Sequence, residues 1–423
     1  PAPAPLAYSL GQPKLLKRIL DGTPTTLDAY RASGGYRAFE LAQANGAQWV
    51  LQELESARLL GRGGAAFPTI IKWRSVVEAP VTERYLVANA DESEPGTFKD
   101  RVLMEHDPFA LIEAMTIAGY VVQAQRGYIY LRSEYPQAEA ALADACAQAT
   151  AAGLLGSNIA GSDFSFTLEL RRGAGAYICG EETALLNSIE GYRGEPRNKP
   201  PFPTESGLFG QPTLINNVET FATVLPILTE GGDTFAQSGT PASTGTRLFC
   251  LSGACAKPGV YEVPLGTPLQ ELLRLAQADL DADTAPLVLL GGAAGVFVGP
   301  DQLTVPLSFE ATAEAGLTLG SGAVIVVPPA ADLADLLDNI AEFFVAESCG
   351  QCVPCRVGTV RQQESLERLC ANHQNGTGNP GTKQELAILA DLDSVMTDAS
   401  ICGLGQTAAS AIRSAIRLNL LEP

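Results

Sequence analysis

The chain has 423 residues, 46% of them hydrophobic, which is enough to bury more than one core and gives a prior of roughly two to four domains. Lys and Arg number 28 against 47 Asp and Glu, and the resulting formal charge of −19 repels a phosphate backbone and argues against nucleic acid as a partner. No apolar run approaches the ~20 residues that span a bilayer, and nine cysteines without a signal-peptide pattern point to reduced thiols and metal ligation, so a cytoplasmic location is expected.

In chain order, "PAPAP" at 1–5 reads as a stiff extended arm. Residues 1–60 read as helical, with "WVLQELESARLL" carrying apolar residues at helical spacing. From 61 to 242, the runs "RYLVANA", "GYIYLRSEY" and "FTLELRR" alternate with helical stretches, the pattern of an α/β layer with a largely parallel sheet. Such sheets bind ligands at the carboxyl ends of their strands, so the loops there matter most.

Four of these stretches stand out. "GRGGAAFPTIIKW" (61–73) joins Gly61, Gly63 and Gly64 to the cations Arg62 and Lys72 and to Phe67. Its spacing is not that of a dinucleotide fingerprint, and alone it reads equally as a surface turn. Bare backbone beside cations can nonetheless take a flat ring or a pyrophosphate. "NADESEPGTFKD" (89–100) follows a strand and offers Asn89, Asp91, Glu92 and Ser93 as hydrogen-bonding groups, against the plainer reading of a solvated acidic turn. "RRGAGAYICGEETALLNSIEG" (171–191) reads as strand, glycine turn and helix. Glu181 and Glu182 at that helix N-terminus are stabilised by its dipole and suit sugar hydroxyls better than phosphate, and Tyr177 supplies a ring face. "INNVETFATVLPIL" (215–228) makes Asn217 a helix N-cap whose free N–H groups could face an anion.

Residues 243–330 change character. "TRLFCLSG" and "GVYEVPLG" flank Pro258-Gly259 and read as a hairpin; Thr267-Pro268 opens a helix with Thr267 as N-cap; "APLVLL" and "AVIVVPP" add strands. The pattern is that of a small β-grasp (ubiquitin-like) domain. Residues 331–423 are helical, with Leu333, Leu336, Leu337, Ile340 and Phe344 on one face and Leu386, Leu389 and Leu392 on another.

Within this bundle, "ESCGQCVPCRVGT" presents Cys349, Cys352 and Cys355, three evenly spaced thiols in one loop. Both tetrahedral zinc and a cubane cluster usually take four ligands. Cys370 is fifteen residues beyond Cys355, about 22 Å along one helix. Cys146 and Cys250 read as small buried hydrophobes, Cys255 belongs to the β-grasp segment and Cys179 to the α/β layer. Cys402, in "ASICGLGQT", lies in the bundle, where Gly403 and Gly405 let the backbone approach a bulky centre. A triple plus one remote thiolate fits a [4Fe–4S] cube better than zinc, whose structural sites combine pairs of Cys or His.

Together these motifs, with "KPPFP", resemble the NADH-binding flavoprotein (51-kDa or F-type) family of respiratory complex I, whose core is shared by NAD-linked formate dehydrogenases and NAD-reducing hydrogenases. The likeness runs from about residue 30 to about 415. It implies an α/β fold with a Rossmann-like FMN- and NADH-binding domain, the β-grasp domain and a helical cluster domain. It also implies one [4Fe–4S] cluster on Cys349, Cys352, Cys355 and Cys402. FMN is implied among Gly61, Arg62, Gly63, Gly64, Lys72, Asn89, Asp91, Glu92, Ser93, Tyr177, Gly180, Glu181, Glu182, Ile215, Asn216, Asn217 and Thr220. NADH would stack over the flavin beside Phe67, Glu94 and Phe202. Family members often carry an aromatic just after the Lys-Trp pair; "KWRSVV" has none, which leaves one adenine-stacking contact unfilled.

The resemblance implies hydride transfer from NADH to FMN, with no catalytic acid or base, and then single electrons to the cluster. It implies partners as well: a thioredoxin-like 2Fe–2S subunit and a multi-cluster iron–sulfur subunit, with the chain peripheral to the cytoplasmic membrane through them. Complex I is preferred to a formate dehydrogenase or hydrogenase assembly. A zinc-stabilised, non-catalytic scaffold is the distant alternative.

Overall fold

The computed structural model describes residues 7–280, 286–374 and 380–420, so the "PAPAP" arm lies outside the described residues. The chain opens on a short strand, β1 (Ala7–Ser9), and then runs through helices Lys17–Leu20, Leu27–Ala32, Arg37–Asn45 and Ala47–Ala57. An all-helical start was expected; β1 is too short to show a period of its own.

Four parallel strands follow: β2 (Tyr85–Ala90), β3 (Arg126–Leu131), β4 (Thr167–Arg172) and β5 (Thr213–Asn217), in the order β4-β3-β2-β5. The first three match the apolar runs of the sequence. β5 does not, because "TLINN" ends on two asparagines and runs straight into the helix Val218–Glu230. The chain winds from β2 to β3 to β4 in one direction and then returns to lay β5 on the other side of β2. A crevice opens where the winding reverses, beyond the carboxyl ends of β2 and β5.

Helix Pro108–Val122 is buried almost all round against this sheet, yet carries Glu113. Its carboxylate accepts from Tyr30 Oη (2.5 Å), the Tyr36 N–H (2.8 Å) and the Phe39 N–H (3.1 Å), so three donors from the N-terminal helices offset its desolvation.

The second sheet comprises β6 (Thr246–Gly253), β7 (Gly259–Pro264), β8 (Val288–Leu290), β9 (Val296–Val298) and β10 (Ala323–Val326), with β1 on its edge, in the order β1-β7-β6-β10-β8-β9. β6 and β7 form the expected hairpin, and β10 returns parallel to β6. Helix Leu269–Leu275 is capped by Pro268, one residue later than expected, because Thr267 Oγ1 turns back to Pro264 O (2.7 Å). Glu262 of β7 holds the N-terminal segment, accepting from the N–H groups of Lys14 (2.9 Å), Leu15 (3.0 Å) and Leu16 (2.9 Å) and from Thr246 Oγ1 (2.7 Å).

The C-terminal part is the expected helical bundle: Leu333–Glu347, Val353–Gln374, Pro380–Ala399, Gly403–Thr407 and Ser410–Arg417. Leu337, Phe344, Leu366, Met396 and Ile412 are buried in its core. Among the described residues, no helix is long and apolar enough to cross a membrane.

Candidate functional site

The crevice beyond β2 and β5 is built by short-range hydrogen bonds. Asn89, near the end of β2, donates Nδ2 to Gly180 O (2.8 Å) and accepts the Asp91 N–H (3.2 Å). Ser93 Oγ donates to Asp91 Oδ2 (3.1 Å). Glu92 turns its carboxylate to the start of helix Lys99–His106, accepting from the N–H groups of Asp100 (2.8 Å) and Arg101 (2.9 Å). On the other side, Asn217 is the N-cap of helix Val218–Glu230, as expected, accepting from the Glu219 (2.9 Å) and Thr220 (3.4 Å) N–H groups. Two glycines close the wall: a Cβ on Gly63 would sit 3.2 Å from Asn217 Cβ, and Gly64 adopts φ +116° facing Gly320.

These groups surround a cavity of about 560 Å³ lined by Arg62, Gly63, Gly64, Asn89, Asp91, Glu92, Ser93, Glu94, Tyr177, Gly180, Glu181 and Asn217. Residues that sequence reasoning missed also line it. Thr97, Lys99 and Asp100 come from the α/β layer, Gly291, Ala294, Gly320 and Ser321 from the second sheet, Ile178 from the 3₁₀ turn Tyr177–Gly180, and Leu404 and Arg413 from the bundle. The glycine runs "LLGGAAG" and "LGSG" were the available signal. Glu94 spans the junction, accepting from Tyr177 Oη (2.6 Å) and the Ala294 N–H (2.9 Å).

The charge beneath the cavity is arranged in buried pairs. Lys99 Nζ meets Asp100 Oδ1 at 2.8 Å and Glu219 Oε2 at 2.9 Å. The Arg62 guanidinium is fully buried and donates Nη2 to Thr244 O (2.8 Å) and Thr246 O (3.1 Å). Burial pushes the Asp91 carboxyl up to about 7, and burial likewise raises Glu92 and Glu94. Asp91 Oδ1 and Arg62 Nε and Nη1 are buried without hydrogen-bond partners among the described residues. A flat polar ligand with its own donors and an anionic tail fits such orphaned groups.

Gly61, Phe67, Lys72, Glu182, Phe202, Ile215, Asn216 and Thr220 do not line the cavity. Thr220 Oγ1 accepts the Arg62 N–H (2.8 Å), Asn216 Oδ1 accepts Trp73 Nε1 (3.2 Å), and the Gly61 N–H donates to Phe67 O (2.9 Å). An outer group is held by charge: Glu182 pairs with Lys72 (2.8 Å) and Lys199 (2.9 Å), and Lys199 also reaches Glu181 (2.8 Å). Although burial opposes it, the two lysines hold the Glu182 carboxyl below its ordinary pKa. The Lys72 ammonium lies 5.9 Å from the centre of the Phe67 ring, and Phe67 and Phe202 are both exposed.

Cys349, Cys352, Cys355 and Cys402 line a second, smaller cavity with Ile178, Pro196, Ser348 and Leu404. All four thiols are free. Cys402 caps helix Gly403–Thr407, and that helix fits closely because residue 405 is glycine: a Cβ there would lie 2.8 Å from Cys355 Cβ. Burial raises the Cys402 thiol to about 11, against the opposing N–H groups of Leu404 and Gly405, and burial also raises Cys355. No three Cys, His, Asp or Glu side chains among the described residues are arranged to hold a single metal ion. Four thiols around one cavity, with no histidine among the lining residues, suit a multi-iron centre. Cys370 does not line this cavity.

Comparison with known proteins gives two family matches: the Nuo51 FMN-binding domain over residues 54–226, and the NADH-ubiquinone oxidoreductase-F iron–sulfur binding region over residues 335–418. The chain is 41% identical to the NADH-quinone oxidoreductase F-type subunit 2 of Rhizobium meliloti, covering 96% of this chain and 95% of that one. It is 40% identical to the NADP-reducing hydrogenase subunit HndC of Solidesulfovibrio fructosivorans, covering 92% and 78%. Among solved structures, NAD⁺-reducing [NiFe]-hydrogenase in the H₂-reduced state matches with a TM-score of 0.81 and 37% identity, covering 97% of this chain and 67% of that one.

Proposed function

We propose a mechanism from one premise: the chain belongs to the family of NADH-quinone oxidoreductase F-type subunits. It is an NADH dehydrogenase module, an oxidoreductase that uses FMN and a [4Fe–4S] cluster. The observation that carries the mechanism is the placement of the two cavities back to back, with Ile178 and Leu404 common to both.

When bound, FMN supplies conversion between a hydride donor and a one-electron acceptor. The large cavity is the proposed FMN site. Asp91 Oδ1 would accept from a flavin donor, the Gly63–Gly64 backbone would lie against the ligand, and the charges around Arg62 and Lys99 would offset its phosphate. Phe67, Phe202 and Glu182 would hold the nicotinamide nucleotide outside it, Glu182 toward a ribose. Cys349, Cys352, Cys355 and Cys402 are the proposed cluster ligands.

Three finer readings rest on the same premise. The order β7-β6-β10-β8-β9, with β10 parallel to β6, supports a β-grasp reading of 243–330. It would lie between a 61–242 FMN- and NADH-binding domain and a 331–423 cluster domain, with residues 1–60 as the N-terminal arm. Multi-subunit relatives support partner iron–sulfur subunits, a thioredoxin-like 2Fe–2S one among them, and through these a place beside the cytoplasmic membrane. A hydrogenase diaphorase is the second reading, favoured by the similarity to a solved hydrogenase.

The test is anaerobic. The purified full-length chain should be yellow-brown, release fluorescent flavin on denaturation, and bleach on adding NADH with the appearance of a reduced-cluster electron paramagnetic resonance signal. A colourless, zinc-containing protein overturns the mechanism.

A further inference from the structure

Among the described residues, Ile178 and Leu404 alone line both cavities. Both are apolar and both are 5% exposed. Ile178 sits in the 3₁₀ turn Tyr177–Gly180 and Leu404 in helix Gly403–Thr407, whose cap is Cys402. They belong to one hydrophobic cluster with Cys355. Two apolar residues from different parts of the chain therefore stand as a wall between the large cavity and the cysteine nest.

We propose that Ile178 and Leu404 are positioning residues that set the potential of the cluster by keeping cavity water out of the cysteine nest. This rests on the reading of the four cysteines as cluster ligands. Each NADH oxidised yields NAD⁺, one proton and two electrons; the electrons cross this wall singly, and the proton stays on the cavity side. The potential of an iron–sulfur cluster depends on its solvent exposure and on the apolar shell around it. Reduction adds negative charge to a centre already bound by four thiolates. Water stabilises the more charged form, so a dry wall holds the potential low and a breached wall raises it.

The experiment is a redox titration, followed by electron paramagnetic resonance, of the full-length chain carrying its cofactors. Leu404→Ala and Ile178→Ala are each expected to shift the cluster midpoint to a more positive potential with iron and flavin retained, whereas Leu404→Met, which refills the wall, stays near wild type. An unchanged midpoint in both alanine variants, with iron retained, overturns the proposal. If an alanine variant loses iron, Leu404→Val or Ile178→Val takes its place, with the same upward shift expected and its absence equally decisive. Absence of iron from the wild type would instead overturn the ligand reading beneath it.

Discussion

Glu182 carries its charge between two ammonium groups, Lys72 at 2.8 Å and Lys199 at 2.9 Å, in a half-buried setting. If the adenosine ribose of NADH lies against this carboxylate, the 2′-phosphate of NADPH meets like charge there. Glu182→Gln removes the repulsion and frees both lysines toward the phosphate. It is expected to narrow the NADH-over-NADPH preference in kcat/KM by about 1–3 kcal/mol, measured on the flavin-loaded chain. An unchanged ratio would reduce Glu182 to a charge at a helix start. Asp91 makes a different prediction. Burial raises its carboxyl from 3.8 to about 7, so between these values the folded chain holds a proton that the unfolded chain has released. The folded state then binds more protons, and stability falls as pH rises through that window. The difference between the two values is worth at most about 4 kcal/mol. The melting temperature of the flavin-free Asp91→Asn variant should therefore fall less between pH 4 and 8 than that of wild type; parallel curves would show that Asp91 ionises freely.

Helix Val353–Gln374 begins within the three-cysteine run and carries Cys370 away along its axis, whereas Gly403–Thr407 brings Cys402 back to the same cavity. Cys402→Ser is expected to remove most of the cluster iron and Cys370→Ser to leave it, by iron assay of the purified variants. Equal loss in both would sink the ligand assignment. The elements behind this were legible in sequence because helices of this length show their own period: the Leu337–Ile340–Phe344 face is buried as expected. The Asn217 cap was legible for the same local reason, whereas the cap expected at Thr267 falls on Pro268. Asn217 Oδ1 accepts from the N–H groups of Glu219 and Thr220, and Glu181, read in sequence as a charge at a helix start, accepts likewise from Thr183 (2.8 Å) and Ala184 (2.9 Å). Strands β1, β5 and β9 were not legible: unlike β8 and β10 they do not sit in a longer apolar run, β5 ending on two asparagines, and only their neighbours make them strands.

At the scale of the whole molecule, the lone chain brings together a flavin-sized cavity and one cysteine nest, and none of its described helices is long and apolar enough to cross a membrane. Given NADH, the isolated polypeptide should reduce small artificial acceptors such as ferricyanide and leave quinone untouched, because the proposed function assigns onward transfer to partner subunits. Rapid quinone reduction by the single chain would contradict this. The sequence by itself pointed to the three-cysteine loop, the strand-end loops and the order of α/β, small sheet and bundle, which depend on residue type and short spacing, and it singled out Cys402, which the fold brings to the same cavity. The tertiary structure alone decided where the charges point. Arg62 lines the large cavity while anchored on the Thr244 and Thr246 carbonyls, whereas Lys72 is drawn to Glu182 outside that cavity. It alone set Ile178 beside Leu404, 226 residues apart in the chain, as the wall between the two cavities. Short-range hydrogen bonds are written in neighbouring residues, whereas the partner of a buried side chain is chosen by how separate elements pack.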